Sequence, residues 1–90
     1  MTNYYLWNVE ALSDWIKFEI SIGKEPSQLA NDLDVSRHIL REWQIRQSMN
    51  ITLEQIEAIA RCRGWGFDRT IDWLEICPEH LEELRTRLEP

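Results

Sequence analysis

PSQLANDLDVSRHILREWQI, residues 26–45, is the stretch on which the fold turns. Leu29, Ala30 and Leu33 fall on one side of a short helix, within about 100° of arc. Asp34 interrupts the pattern. Val35-Ser36 then opens a second helix, in which Ile39, Leu40 and Trp43 share one side. Ser36 suits the N-cap, because its hydroxyl accepts from a backbone N–H that has no partner in the helix. Val35 before the cap and Leu40 inside it form a hydrophobic staple. Two helices this close in sequence must cross steeply. The crossing needs a small side chain, which Ala30 supplies. The turn needs a residue that tolerates positive φ, and Asp34 does so less easily than glycine.

This is the helix-turn-helix arrangement. The order Gln28-Leu29-Ala30, Leu33-Asp34-Val35-Ser36, Leu40, Trp43 resembles the Cro/repressor-type helix-turn-helix family. In that family alanine sits where Ala30 does, and glycine commonly sits where Asp34 does, so Asp34 is a departure. The resemblance covers about residues 9–76 and is best over 26–45. It implies an all-α fold: a compact five-helix helix-turn-helix domain, here with a short C-terminal sixth helix. Trp65, Trp73 and that sixth helix are not typical of the family.

Working outward, Asn8 caps a first helix from Val9 to about Ile22, with Val9, Leu12, Trp15, Ile16 and Ile20 as its buried stripe. Phe18 falls off that stripe. Gly23 suits the position after the helix end, and Pro26 the first turn of the next helix. Residues 46–50 read as a polar loop. Thr52 and Gln55 make a capping box and Ile51 and Ile56 a staple for a fourth helix, which Gly64-Trp65-Gly66 ends. A fifth helix runs from about Phe67 to Ile76, where Cys77-Pro78 stops it. Pro78 starts a sixth to about Leu88. The expected organisation is an aromatic arm over residues 1–8, the domain over 9–76 and a C-terminal helix over 77–90. The arm, with Tyr4, Tyr5, Leu6 and Trp7, is expected to pack on the body. Leu81, Leu84 and Leu88 form a narrow stripe that either docks on the domain or makes a homodimer seam.

Ninety residues suit one domain, and five tryptophans help to fill its core. Cys62 and Cys77 have no CxxC spacing, and His38 and His80 are distant from both, which argues against zinc. With no signal-like start, the two cysteines fit a reducing cytoplasm. No apolar run approaches the ~18 residues that would cross a membrane. The formal net charge is −6. It divides unevenly: residues 1–34 carry −4, residues 35–70 carry +2 and residues 71–90 carry −4. The basic third begins at the second helix of the motif.

On that helix Arg37, His38, Arg41 and Gln44 point outward with Ile45. The resemblance implies that its N-terminal part enters the major groove of double-stranded DNA. Arg37 and Arg41 would reach guanine or phosphate; Ser36, His38, Gln44 and Arg46 would add contacts. Ser27 and Gln28 open the preceding helix, whose N–H groups suit a phosphate. Glu42 sits at the margin and would accept from cytosine or repel phosphate. A solvated surface charge is the plainer reading of each arginine. Catalysis has little support: the histidines lie on separate helices, and neither a glycine-rich phosphate loop nor a nucleophile elbow is present. No cofactor is expected. Two readings follow: a small sequence-specific DNA-binding transcriptional regulator acting as a dimer, or an acidic interaction module that binds a basic protein partner or mimics nucleic acid.

Overall fold

Turn chemistry sets the helix boundaries. The computed structural model describes residues 6–45 and 50–88, and side chains up to residue 86. The described residues form six helices and no strand: α1 (Val9–Ser21), α2 (Pro26–Asp32), α3 (Arg37–Gln44), α4 (Leu53–Arg63), α5 (Phe67–Leu74) and α6 (Pro78–Leu88). Tyr4, Tyr5 and residues 46–49 of the loop expected over 46–50 lie outside the described residues.

Three helix starts use the expected caps. Asn8 Oδ1 accepts from the Ala11 N–H at 3.0 Å, and Ser36 Oγ from the Ile39 N–H at 3.1 Å. Thr52 and Gln55 exchange both bonds of the capping box, at 3.1 and 2.9 Å. Each of these bonds satisfies a donor that the helix leaves unpaired.

Four helix ends share one device. Gly23, Asp34, Gly64 and Glu75 all have positive φ, at 110°, 57°, 70° and 54°. After each, two N–H groups turn back onto carbonyls of the last helical turn. At α2 these are Asp34 to Asn31 and Val35 to Ala30; at α4, Gly64 to Arg61 and Trp65 to Ala60. Such paired bonds satisfy carbonyls that would otherwise face solvent alone.

Helix α5 stops at Leu74, short of the expected Ile76. The reason is Glu75. It takes the left-handed conformation, and the Ile76 N–H returns to the Ile71 carbonyl at 3.1 Å. Ile76 thereby turns its side chain into the core, where it is buried. Asn8 fastens this corner to the start of α1. Its N–H donates to the Leu74 carbonyl, and its Nδ2 donates to Glu75 Oε2, each at 2.7 Å.

Helix α1 packs against α3 and α5; α2 packs on α3; α4 packs on α5 and α6. Their inner faces meet in one core that includes Leu12, Ile16, Leu29, Leu40, Trp43 and Ile59. Trp7 and Leu84 enter the same core from opposite ends of the chain. Phe18, off the apolar stripe, is 59 % exposed. No helix of the described residues is long and apolar enough to cross a membrane.

Ala30 is 3 % exposed, beside the chain reversal between α2 and α3. Ala30→Leu is expected to overpack this contact and cost about 1–3 kcal/mol, read as a lower urea midpoint. Asp34 holds φ at 57°, and its side chain makes no hydrogen bond to a described residue. Asp34→Gly should therefore leave the midpoint unchanged or raise it, because glycine removes the Cβ conflict. A fall would mean that the carboxylate supports the turn.

Candidate nucleic-acid interface

The outward face of α3 is held from behind. Ser13 on α1 is fully buried, and its hydroxyl donates to the Gln44 carbonyl at 2.8 Å. That carbonyl belongs to the last turn of α3, where the helix offers it no partner. Leu40 and Trp43, also buried, seat the inner face. With Ser36 capping one end and Ser13 binding the other, the orientation of Arg37 and Arg41 is fixed by α1 and the core.

An open concavity of about 670 Å³ lies over this face. Arg37, His38, Arg41, Gln44 and Ile45 line it from α3 and its end, Lys17 from α1 and Pro26 from α2. Among the described residues no acidic one is in the lining. Lys17, Arg37 and Arg41 make no ion pair with a described residue. The nearest carboxylate on α3 is Glu42, whose Oε1 lies 3.2 Å from His38 Nε2, one turn earlier. Ile45 is half exposed and gives the rim an apolar spot.

The residues expected from sequence divide here. Arg37, His38, Arg41 and Gln44 come together, with Ser36 at the edge as a cap. Ser27 and Gln28 are exposed on α2 but outside the lining. Gln28 is partly committed, because its Nε2 donates to Asp32 Oδ1 at 2.9 Å. Asp32 also holds Lys24 at 2.7 Å. Bonds from Lys24 and then Gln28 keep the Asp32 carboxyl below its ordinary pKa; the bond to Asp32 raises that of Lys24. Lys24 is thus tied up where Lys17 is not. Arg46 lies outside the described residues.

Sequence reasoning did not place Lys17 in the site, and it read Pro26 only as the start of α2. A signal for Lys17 existed. It stands four residues, one helical turn, after Ser13, so both face α3. Only knowledge of which face α3 occupies turns that spacing into a prediction.

Leu81 and Leu84 of α6 are turned inward. Leu84 is 5 % exposed within the core, and Leu81 is partly buried against it. A seam with a second copy would need these side chains outward, so docking on the chain's own body accounts for them. The side chain of Leu88 lies outside the described residues. Cys62 and Cys77 are free and half-buried. Burial pushes the Cys62 thiol above its ordinary pKa, which makes it a poor nucleophile.

Comparison with known proteins finds no matching family, no matching curated protein and no matching solved structure.

Leu84→Glu is expected to destabilise the chain by more than the about 2–5 kcal/mol typical of truncating a core leucine, since it also buries a carboxylate. Circular dichroism during urea unfolding reads this. An unchanged midpoint, with a drop in sedimenting mass, would restore the dimer seam.

Proposed function

We propose that the chain is a small sequence-specific DNA-binding regulator that reads the major groove with α3, in the manner of Cro/repressor-type helix-turn-helix proteins. One observation carries this reading. Three basic side chains from two helices, Lys17, Arg37 and Arg41, surround one concavity without a carboxylate partner among the described residues. The short α2, the buried Ala30, the positive φ of Asp34 and the Ser36 cap agree with the motif.

In this reading the roles follow from donor geometry. Arg37 and Arg41 stand about one turn apart and reach the same groove. Either offers two parallel N–H donors to O6 and N7 of guanine. Gln44 pairs an acceptor and a donor, which suits adenine. Lys17, a compact charge on the neighbouring helix, suits phosphate and sets orientation rather than sequence. The Ser36 oxygen is used in capping, but its O–H remains a donor for phosphate. Few cations mean few displaced counterions, at about −0.9 in the salt slope per phosphate neutralised. Base contacts and a second copy at the next half-site, about 34 Å away, would supply the rest.

The acidic interaction module remains a second reading because α6 presents Glu79, Glu82 and Glu83 around a shallow depression with Pro78 and Thr86. A basic partner protein would fit there.

Selection from random duplexes at stated low and physiological salt tests the regulator. On a selected site Arg41→Ala should cost about 1–3 kcal/mol, and less on random DNA, if the side chain reads a base. If it holds phosphate, both losses should match and the salt slope should fall by about one unit. A wild type that binds no duplex at low salt would sink the regulator, and a pull-down against basic proteins would follow.

A further inference from the structure

A second group of unpaired cations lies on the other side of α1. Arg63, in the last turn of α4, has its guanidinium carbon 3.9 Å from the Trp65 ring centroid, 4.6 Å from that of Trp73 and 5.2 Å from that of Trp15. The indoles brace each other edge to face: Trp65 with Trp73 at 5.4 Å, and Trp15 with Trp73 at 6.2 Å. Arg69 adds a second guanidinium, 4.3 Å from the Trp65 centroid. All three tryptophans are half-buried, so their outer edges meet solvent. At 100° per residue, Lys17 points about 200° round α1 from Trp15, so this face and the α3 concavity are separate.

We propose that the face built from Trp15, Trp65, Trp73, Arg63 and Arg69 docks an acidic, partly apolar segment of a partner protein. Charge is the first argument. Two guanidiniums crowd one indole, and neither makes an ion pair with a described residue in a chain that has 16 acidic residues for ten basic ones. Glu19 reaches Arg63 only through its field, beyond ion-pair distance. Contact with an indole uses none of a guanidinium's five N–H donors, so they stay available to a carboxylate, which they grip in pairs. Partial burial has already stripped water from Arg63, and desolvation lowers its pKa. A bond to an anion is stronger there than at a fully wet arginine.

The apolar surroundings give the second argument. Phe18 and Ile22 are 59 % and 63 % exposed. Phe18 follows Trp15 by three residues on α1 and Ile22 by seven, as the residue that ends the helix, so both fall on the Trp15 side of it. Tryptophan and arginine side by side, with apolar neighbours, is the composition of protein-docking hot spots. A nucleic-acid strand fits less well. Asp68 and Asp72 stand beside Arg69 and Trp73 on α5, and a continuous run of phosphates would meet them. A peptide can place single carboxylates at the arginines and leucine-like side chains over Phe18 and Ile22.

The test uses the whole chain and three fluorescein-labelled probes. They are a short peptide of repeating Glu-Leu-Leu-Glu, its counterpart with lysine for glutamate, and an oligothymidine of similar length. The acidic peptide should bind saturably by anisotropy and shift the tryptophan emission. Arg69→Glu and Phe18→Glu should each weaken it about tenfold or more. Both positions are exposed, so the fold should survive, and circular dichroism verifies this. Arg41→Ala should leave peptide binding intact, which separates this face from the proposed DNA surface. The proposal is overturned if the acidic peptide does not saturate, if neither variant weakens it, or if the lysine peptide or the oligothymidine binds more tightly.

Discussion

The buried hydrogen bond from Ser13 to the Gln44 carbonyl ties the first helix to the third. The placement of the α3 outer face depends on it. Helix α3 has eight residues, too few to persist alone in water. Its order comes from what grips it: a cap at Ser36, the core under Leu40 and Trp43, and the Ser13 hydroxyl at its far end. A hydroxyl buried without a partner would cost about 1–3 kcal/mol, as would an orphan carbonyl. The single bond satisfies both. It also sets the concavity, because α1 brings Lys17 to the same side as Ser13.

The same economy runs through the other helices. The described helices span seven to thirteen residues, and none gains much from propensity alone. Burial of their inner faces and closure of their ends decide the matter together. Two ends use glycine, where the left-handed conformation is cheap. Asp34 and Glu75 adopt it at a cost of order 1–3 kcal/mol, or less for Asp34, whose short polar side chain tolerates it. At Asp34 the return bond from Val35 draws the chain back across Ala30. At Glu75 the bond from Asn8 and the burial of Ile76 offset the strain. Left-handed corners therefore appear where the chain must reverse into the core at once.

Local chemistry of this kind is what a sequence displays. Asn8, Ser36, Thr52, Gln55, Gly23 and Gly64 announce their positions through side chains suited to caps or to positive φ. Asp34 was legible because two apolar patterns flank it. Glu75 was not, since glutamate has no preference for that conformation, and only the inward pull on Ile76 and the contact from Asn8 select it. The outward set on α3 could be read from its wheel. Lys17 and Ser13 could not, because their roles depend on which face of α1 receives α3, which their spacing alone does not show, and Pro26 joins the lining from α2 only once the helices have packed. The gathering of Trp15, Arg63, Trp65, Arg69 and Trp73 was hidden for the same reason. Sequence separates these residues by up to 58 positions, from Trp15 to Trp73, and three elements meet before they touch.

Charge placement raises a further physical point. Exposed ion pairs contribute only about 0–1 kcal/mol, so stability exerts little pressure to pair each surface cation. Lys24 nonetheless has Asp32, while Lys17, Arg37 and Arg41 have no such partner among the described residues. At physiological salt the screening length is about 8 Å. An approaching polyanion at greater range meets a largely screened field, whose sign is set by the net charge of −6. Within that range the three cations of the concavity dominate, with Glu42 held against His38. Lower salt lengthens the reach of both contributions. The repulsion, spread over the whole chain, then offsets part of the attraction, so the net charge acts mainly on the rate of encounter. In the proposed role, the final contact would be governed by the local cations and by how firmly Ser13 and Ser36 hold the helix that carries two of them.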